Sequence, residues 1–413
     1  MDRSRNTGVS GWDLGWSGPH SIHAMTIQEL HQNEALRRTE FPVTQHKTFL
    51  AHAAVCPLPR RVADAIRQHA EAATLDDQET AFSHAQIKET RGLLAKLIGA
   101  DMSEVALVGP TSLALSFVAG GLKFRRQANV LVYYDDYPSN VYPWLALAEK
   151  GVEVRLINIK ELGRIRDIDV IGQVDENTAL VALASCHFIS GWRIDYEAIG
   201  RALRAQNILF CVDAIQTLGA FPMNAAHVDF LAADAHKWLL GPCAAGILYV
   251  RKEVQDLLEP IALGWHNVRC PNFVAQDKIV HPPDARRYEA GSLNLPGYVG
   301  LKAAAELLLE VGVENIAVEL LRQANRIIPQ LQQRGWEVIG ASSPEKHRSG
   351  IVSFRRDNVD LAAVHAKLAA ENIVASLRTD RAGQHYLRFA PHFYNTDAEL
   401  DQALAALDRH SGK

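Results

Sequence analysis

Cysteine is scarce in this chain: Cys56, Cys186, Cys211, Cys243 and Cys270 are the only five, and none form a CxxC pair. That spacing argues against a disulfide framework and a zinc site, and no metal is expected. Long apolar runs are missing too; none approaches the roughly 18–20 residues that a membrane span needs. Charge of one sign is not in excess. Lys and Arg number 43 against 47 Asp and Glu, and a net charge of −4 leaves no electrostatic footprint for nucleic acid or anionic lipid. The opening stretch, "MDRSRNTGVSGWDLGWSGPHSIHAM", has no apolar core of a signal peptide and reads as a loose arm. A cytoplasmic protein is expected. No internal repeat or low-complexity tract is found.

What is present is the make-up of an ordinary soluble globular protein, 48% hydrophobic and 22% charged over 413 residues. "RRVADAIRQHAEAA" and "AQIKETRGLLAKLIGA" have the apolar spacing of amphipathic helices. Later helices alternate with short apolar runs: "EVALVG", "NVLVYY", "VEVRLIN", "TALVALAS", "NILFCVDA", "DFLAAD" and "AGILYVRK". Continuous apolar strands between helices predict an α/β fold, a mostly parallel sheet covered on both faces. Cys186 and Cys211 lie in such runs and read as small core residues. From residue 298 the pattern changes to long helices followed by "WEVIG", "GIVSFRR", "IVASLRT" and "YLRFAP", a smaller α/β unit. The predicted organisation is an arm over 1–40, a large domain over 41–297 and a small domain over 298–413, with the N-terminal segment a candidate to complete it.

In open α/β sheets ligands bind outside the carboxyl ends of the strands, so the residues there matter most. "NILFCV" ends in Asp213-Ala214-Ile215-Gln216 and "DFLAAD" runs into Ala235-His236-Lys237. Alone, the aspartate reads as a helix cap and the lysine as a solvated loop residue. Together they form the minimum apparatus for pyridoxal phosphate: an amine for the imine and a carboxylate for the pyridinium nitrogen. "EVALVGPTS" supplies a strand and a turn, with Thr111 and Ser112 opening an apolar helix where an anion is favoured; a plain N-cap is the other reading. No Walker A loop occurs. Tyr137, after "NVLVYY", either stacks on a flat ring or fills the sheet edge. His187 is a site residue or a satisfied core histidine. Arg388, amid apolar neighbours in "HYLRFAPHFYNT", needs a carboxylate partner, either a ligand's or an internal acid.

The motifs "VDAIQTLG", "DAHKWLLGP", "RRYEAGSLN" and "LRFAPHFYNT", in this order, resemble the class V aminotransferase superfamily of fold-type I pyridoxal-phosphate enzymes, over about residues 41–410. Its members include cysteine desulfurases, selenocysteine lyases, isopenicillin N epimerases and kynureninases. The resemblance implies Lys237 as the covalent anchor, Asp213 at the pyridine nitrogen and Gln216 at the phenolic oxygen. It implies Thr111 and His236 at the phosphate, Tyr137 at the ring and Arg388 at the substrate carboxylate. Ser292 matches a residue that reaches the phosphate of the neighbouring subunit, which implies a homodimer. "FLAHAAVCPLP", with His52 and Ala53, matches the segment over the substrate.

Two departures qualify the likeness. Desulfurases carry a nucleophilic cysteine on the loop before the carboxylate arginine, and "SLRTDRAGQHYLRFAP" has none. Asp234 stands where desulfurases place a phosphate-binding serine; a carboxylate repels a phosphate, so Asp234 is expected to turn to a backbone N–H or to His236. The expected chemistry is removal of the Cα proton of a small amino acid by Lys237, followed by β-elimination of the C–S type or by transamination. Epimerisation is the alternative. A module that binds the cofactor without turnover is the reading from another class, and a nucleotide-binding enzyme using "GPTS" leaves Lys237 and Asp213 without a role.

Overall fold

The structure, a computed structural model, describes residues 25–411. The loose arm expected over 1–40 does not extend to residue 40. Helices Ile27–Gln32 and Glu34–Glu40 form there, capped by Thr26 with Glu29 and by Asn33. Leu30 is buried, and Arg37 is buried against Glu34 and Glu399, which ties the segment to the C-terminal helix. Residues 1–24 lie outside the described residues.

Strand β1 (Thr48–Phe49) follows, and then the strands of the large sheet: β2 (Val105–Leu107), β3 (Asn129–Val132), β4 (Glu153–Leu156), β5 (Thr178–Ala184), β6 (Leu209–Asp213), β7 (Phe230–Asp234) and β8 (Gly246–Val250). Their order is β2-β8-β7-β6-β5-β3-β4. The pairings from β7 to β4 are parallel, whereas β8 runs antiparallel to both β7 and β2. β3, β7 and β8 are buried at every position, which is why they read as unbroken apolar runs. One core layer lies under helix Thr111–Gly121 on Val130, Val132, Ala232 and Leu248, and the other packs the opposite face around Leu183, Val212 and Leu231.

Helix Leu295–Val311 leaves the large sheet, and helix Val313–Gln333 leads to a second sheet. Its strands are β9 (Glu337–Val338), β10 (Val352–Arg355), β12 (Ser376–Thr379) and β13 (His385–Phe389), ordered β12-β13-β10-β9 and antiparallel throughout. β11 (Ile373–Val374) pairs instead with β1, in parallel, and Ala390 N–H donates to the Leu50 carbonyl at 2.7 Å. The segment around residues 48–53 is thereby stitched to the second sheet and carried on to the ends of β6 and β7. Helix Asp397–His410, with a Thr396/Glu399 capping box, closes the chain.

Candidate active site

β5, β6 and β7 lie side by side and parallel, so their carboxyl ends open on one region. β7 ends at Asp234, and the chain turns at once: Gly241 N–H donates to the Ala235 carbonyl and Leu240 N–H to that of Lys237. Leu240 sits at φ 56°, a left-handed conformation that costs a leucine about 1–2 kcal/mol and persists only where its surroundings impose it. The tight turn aims Lys237, only 6% exposed, back over the ends of the strands into a cavity of about 250 Å³.

Asp213, at the end of β6, lines the same cavity. One carboxylate oxygen accepts the Ile215 N–H at 3.0 Å. Burial pushes the Asp213 pKa up to about 7 against that hydrogen bond, with the nearby Asp136 carboxylate raising it further and Lys237 lowering it. Burial pulls Lys237 down to about 8; Asp213 resists this, and Arg388 and Arg378 assist it. An amine and a carboxylate with convergent proton affinities in one enclosed space mark a site for proton transfer.

Thr111 and Ser112 open helix Thr111–Gly121, whose N-terminus faces the cavity. A Cβ on Gly109 would lie 2.6 Å from the Gly246 nitrogen, so only glycine lets this turn lie against β8. Thr111 Oγ1 accepts the Asp234 N–H at 2.9 Å and keeps its own proton free to donate. Asp234 does not line the cavity. One of its oxygens accepts His236 Nδ1 at 2.7 Å and the Ala244 N–H at 3.0 Å. His236 lines the cavity beside Ser112.

Gln216 spans the floor, donating to the Ala53 carbonyl at 3.1 Å and accepting from Trp238 Nε1 at 2.9 Å. Tyr137 stands over the amine, with Lys237 Nζ 5.2 Å from its ring centre, and meets Phe188 edge to face. Arg388, on β13, is 1% exposed and lines the cavity. Its guanidinium donates to the Phe188 carbonyl and to Ser376 Oγ at 3.3 Å, while its Nε is buried without a partner. No acid among the described residues pairs with it, so the internal partner considered from sequence is not there.

Three other expected residues do not line this cavity. His52 is fully buried beneath the site, held between the Ala390 carbonyl and the Tyr394 hydroxyl, because the pairing of its neighbours with the second sheet turns it inward. Only Ala53, next in the chain, lines the cavity. His187 is a satisfied core histidine: Ser190 and the Asp135 carbonyl occupy its two nitrogens. Ser292 lies outside this cavity, in a separate small pocket with Trp265 and His266. Sequence reasoning missed Arg378, Phe188 and the buried Asp136. The signal for Arg378 was its alternation with Ser376 on a strand next to that of Arg388.

Residues 48–402 match the family model for aminotransferase class-V. The chain belongs to the aminotransferase class-V family. It is 29% identical to a probable cysteine desulfurase of Methanothermobacter thermautotrophicus, over 91% of this chain and 97% of that one. A solved apo cysteine desulfurase from Thermococcus onnurineus NA1 superposes with a TM-score of 0.82 at 24% identity, covering 91% and 98% of the two chains. A structure of a C-DES mutant with glycine covalently linked to its pyridoxal-phosphate cofactor gives a TM-score of 0.79 at 22% identity, over 90% and 98%. These neighbours share the fold-type I architecture. The cofactor of this class-V enzyme is pyridoxal phosphate, and the cavity fits it. A buried amine sits beside a buried carboxylate, a helix N-terminus carries two hydroxyls, and an arginine has no acid of its own among the described residues.

Proposed function

We propose that the chain is a lyase that removes the Cα proton of a small amino acid and expels a sulfur group from the adjacent carbon. The observation that carries this reading is the buried Arg388, without an acid partner, within the cavity that holds Lys237 and Asp213. Arg388 receives the α-carboxylate by a two-point contact and so fixes the direction of the Cα–H bond. Lys237 would hold the cofactor, and its amine is the group placed to take the Cα proton; its depressed pKa suits it to a base near neutral pH. Bound pyridoxal phosphate supplies an electron sink for the charge that develops at Cα. Asp213 would hold the ring nitrogen, Gln216 the phenolic oxygen, and Thr111, Ser112 and His236 the phosphate. Tyr137 covers the ring face.

Elimination is favoured over sulfur transfer to the protein because no cysteine lines this cavity among the described residues. Replacing Lys237 with Ala should abolish the visible absorption of the anchored cofactor, and unchanged absorption would sink the assignment. The reaction itself is read by supplying cysteine and its S-substituted derivatives. Release of ammonia, a keto acid and sulfide or thiol in equal amounts supports elimination. A keto acid without ammonia points to transamination, and inversion of the substrate without either points to epimerisation.

The catalytic unit is a homodimer under this reading. Ser292 lies away from its own cavity, and a band of apolar side chains over residues 257–280 is exposed. No described helix is long and apolar enough to cross a membrane, and the five cysteines are free, which fits the reducing cytoplasm. Under this reading the chain divides into a large cofactor domain over 41–297 and a small domain over 298–413, and the pairing of β1 with β11 supports completion of the small domain by the segment around β1.

A further inference from the structure

Arg378 is the one charged cavity residue to which the proposed function gives no task. In the β12–β13 ladder Ser376 lies opposite Arg388, and Arg378 lies opposite Tyr386. Facing residues of an antiparallel pair project to the same side, and so do residues two apart on one strand. Arg378 and Arg388 are therefore diagonal neighbours on one face, roughly 7–8 Å apart by ladder geometry. Two cations placed this way repel each other unless an anion lies between or beyond them.

No acid among the described residues fills that role. Arg378 makes no hydrogen bond or ion pair with any of them, and its Nε is buried and unpartnered. Of the acids around the vestibule, Asp380 accepts from Tyr386 and from the Gln384 N–H, and Asp135 lies 3.9 Å from Arg381.

The two arginines also differ in depth. Arg388 lines only the inner cavity and is sealed from solvent. Arg378 lines both that cavity and an adjoining vestibule of about 570 Å³, with Tyr137 and Phe188 forming the rest of the shared wall. Arg378 thus stands between the inner cavity, where Arg388 lies, and the vestibule.

We propose that Arg378 is a second anion site, which receives an acidic group at the far end of the substrate side chain. The preferred substrates are then amino acids with a second carboxylate or a sulfur oxyacid, not neutral ones. This inference rests on the proposed function, since it assumes that Arg388 takes the α-carboxylate.

The test uses the cofactor-loaded protein and pairs of probes that differ only in charge. Visible absorbance is titrated with aspartate against asparagine and with glutamate against glutamine; cysteate serves as the sulfur oxyacid. Wild type should bind each acid about tenfold or more tightly than its amide, as expected for a charged contact in a partly desolvated site. In Arg378→Gln that preference should collapse to about twofold while the amides bind as before, and Arg378→Lys should restore part of it. Arg388→Gln should weaken acids and amides alike. Equal binding of acid and amide by wild type overturns the inference alone, as does an Arg378→Gln loss that falls equally on both. A spectrum that no amino acid perturbs overturns the proposed function and this inference with it.

Discussion

The proton affinity of Lys237 sets how the site responds to pH. Its amine attacks only when neutral, and burial moves its pKa from 10.5 down to about 8. Covalent uptake of pyridoxal phosphate by cofactor-free protein should therefore accelerate as pH rises and level off just above 8. An ordinary lysine would keep gaining rate to beyond 10. Arg388 and Arg378 oppose protonation of the amine, so Arg388→Gln should raise this pKa and shift the profile to higher pH; a profile that stays put means the cations do not reach the amine. Asp234 yields a second prediction at this scale. Its carboxylate binds His236 and the Ala244 N–H together, holding the imidazole at the cavity wall. Asp234→Asn removes a charged hydrogen bond of about 1.5–3 kcal/mol and should weaken cofactor binding about tenfold by fluorescence titration. Unchanged affinity would show that His236 needs no such brace. The polar ends of β6 and β7 made Asp213 and Lys237 readable in the sequence, but nothing in a linear motif tells where a ring points. His52 and His187 carry the same residue type as His236, yet backbone carbonyls and two hydroxyls claim their nitrogens.

Among the elements, one buried ion pair joins parts that are distant in the sequence. Glu289 accepts from Arg91 of helix His84–Leu97 through both oxygens and takes the Leu107 N–H of β2 at 2.7 Å. It thereby locks the edge of the large sheet to that helix and to the stretch that carries Ser292. Glu289→Ala leaves a buried guanidinium with only the Val105 carbonyl and no acid, and a strand N–H without a partner, and should cost about 3–5 kcal/mol in chemical denaturation. A loss below about 1 kcal/mol would show that water reaches Arg91. The sequence made the strands of this sheet legible because burial on both faces writes unbroken apolar runs. It did not show that β8 runs antiparallel, since an apolar run has no direction. Residues 25–40 read as part of a polar arm because two short capped helices look like one until Leu30 and Arg37 find their partners in the fold.

For the whole molecule, the surface between β8 and helix Leu295–Val311 is the feature that a single chain leaves without a purpose. Leu257, Ile261, Leu263, Trp265, Val274, Ile279 and Val280 are all exposed there, and Phe273 is 81% exposed with its ring edge against Trp265. Apolar groups gathered within one short stretch are a mark of an interface, because water around them gains freedom when a second surface covers them. A second copy is the expected cover, since Ser292 follows this stretch and lies outside the cavity of its own chain. In solution the protein should therefore have twice the 45.6 kDa mass of one chain by light scattering. Phe273→Asp puts a charge into the covered patch, and should drive the mass toward that of one chain while leaving the far-ultraviolet spectrum intact. If the partner's copy of this stretch completes the phosphate site, the same variant should lose pyridoxal phosphate on dilution, when wild type does not. A wild-type mass of one chain at micromolar concentration would remove the dimer from the proposal. A monomeric variant that holds its cofactor as tightly as wild type would keep the dimer and assign the whole phosphate site to Thr111, Ser112 and His236.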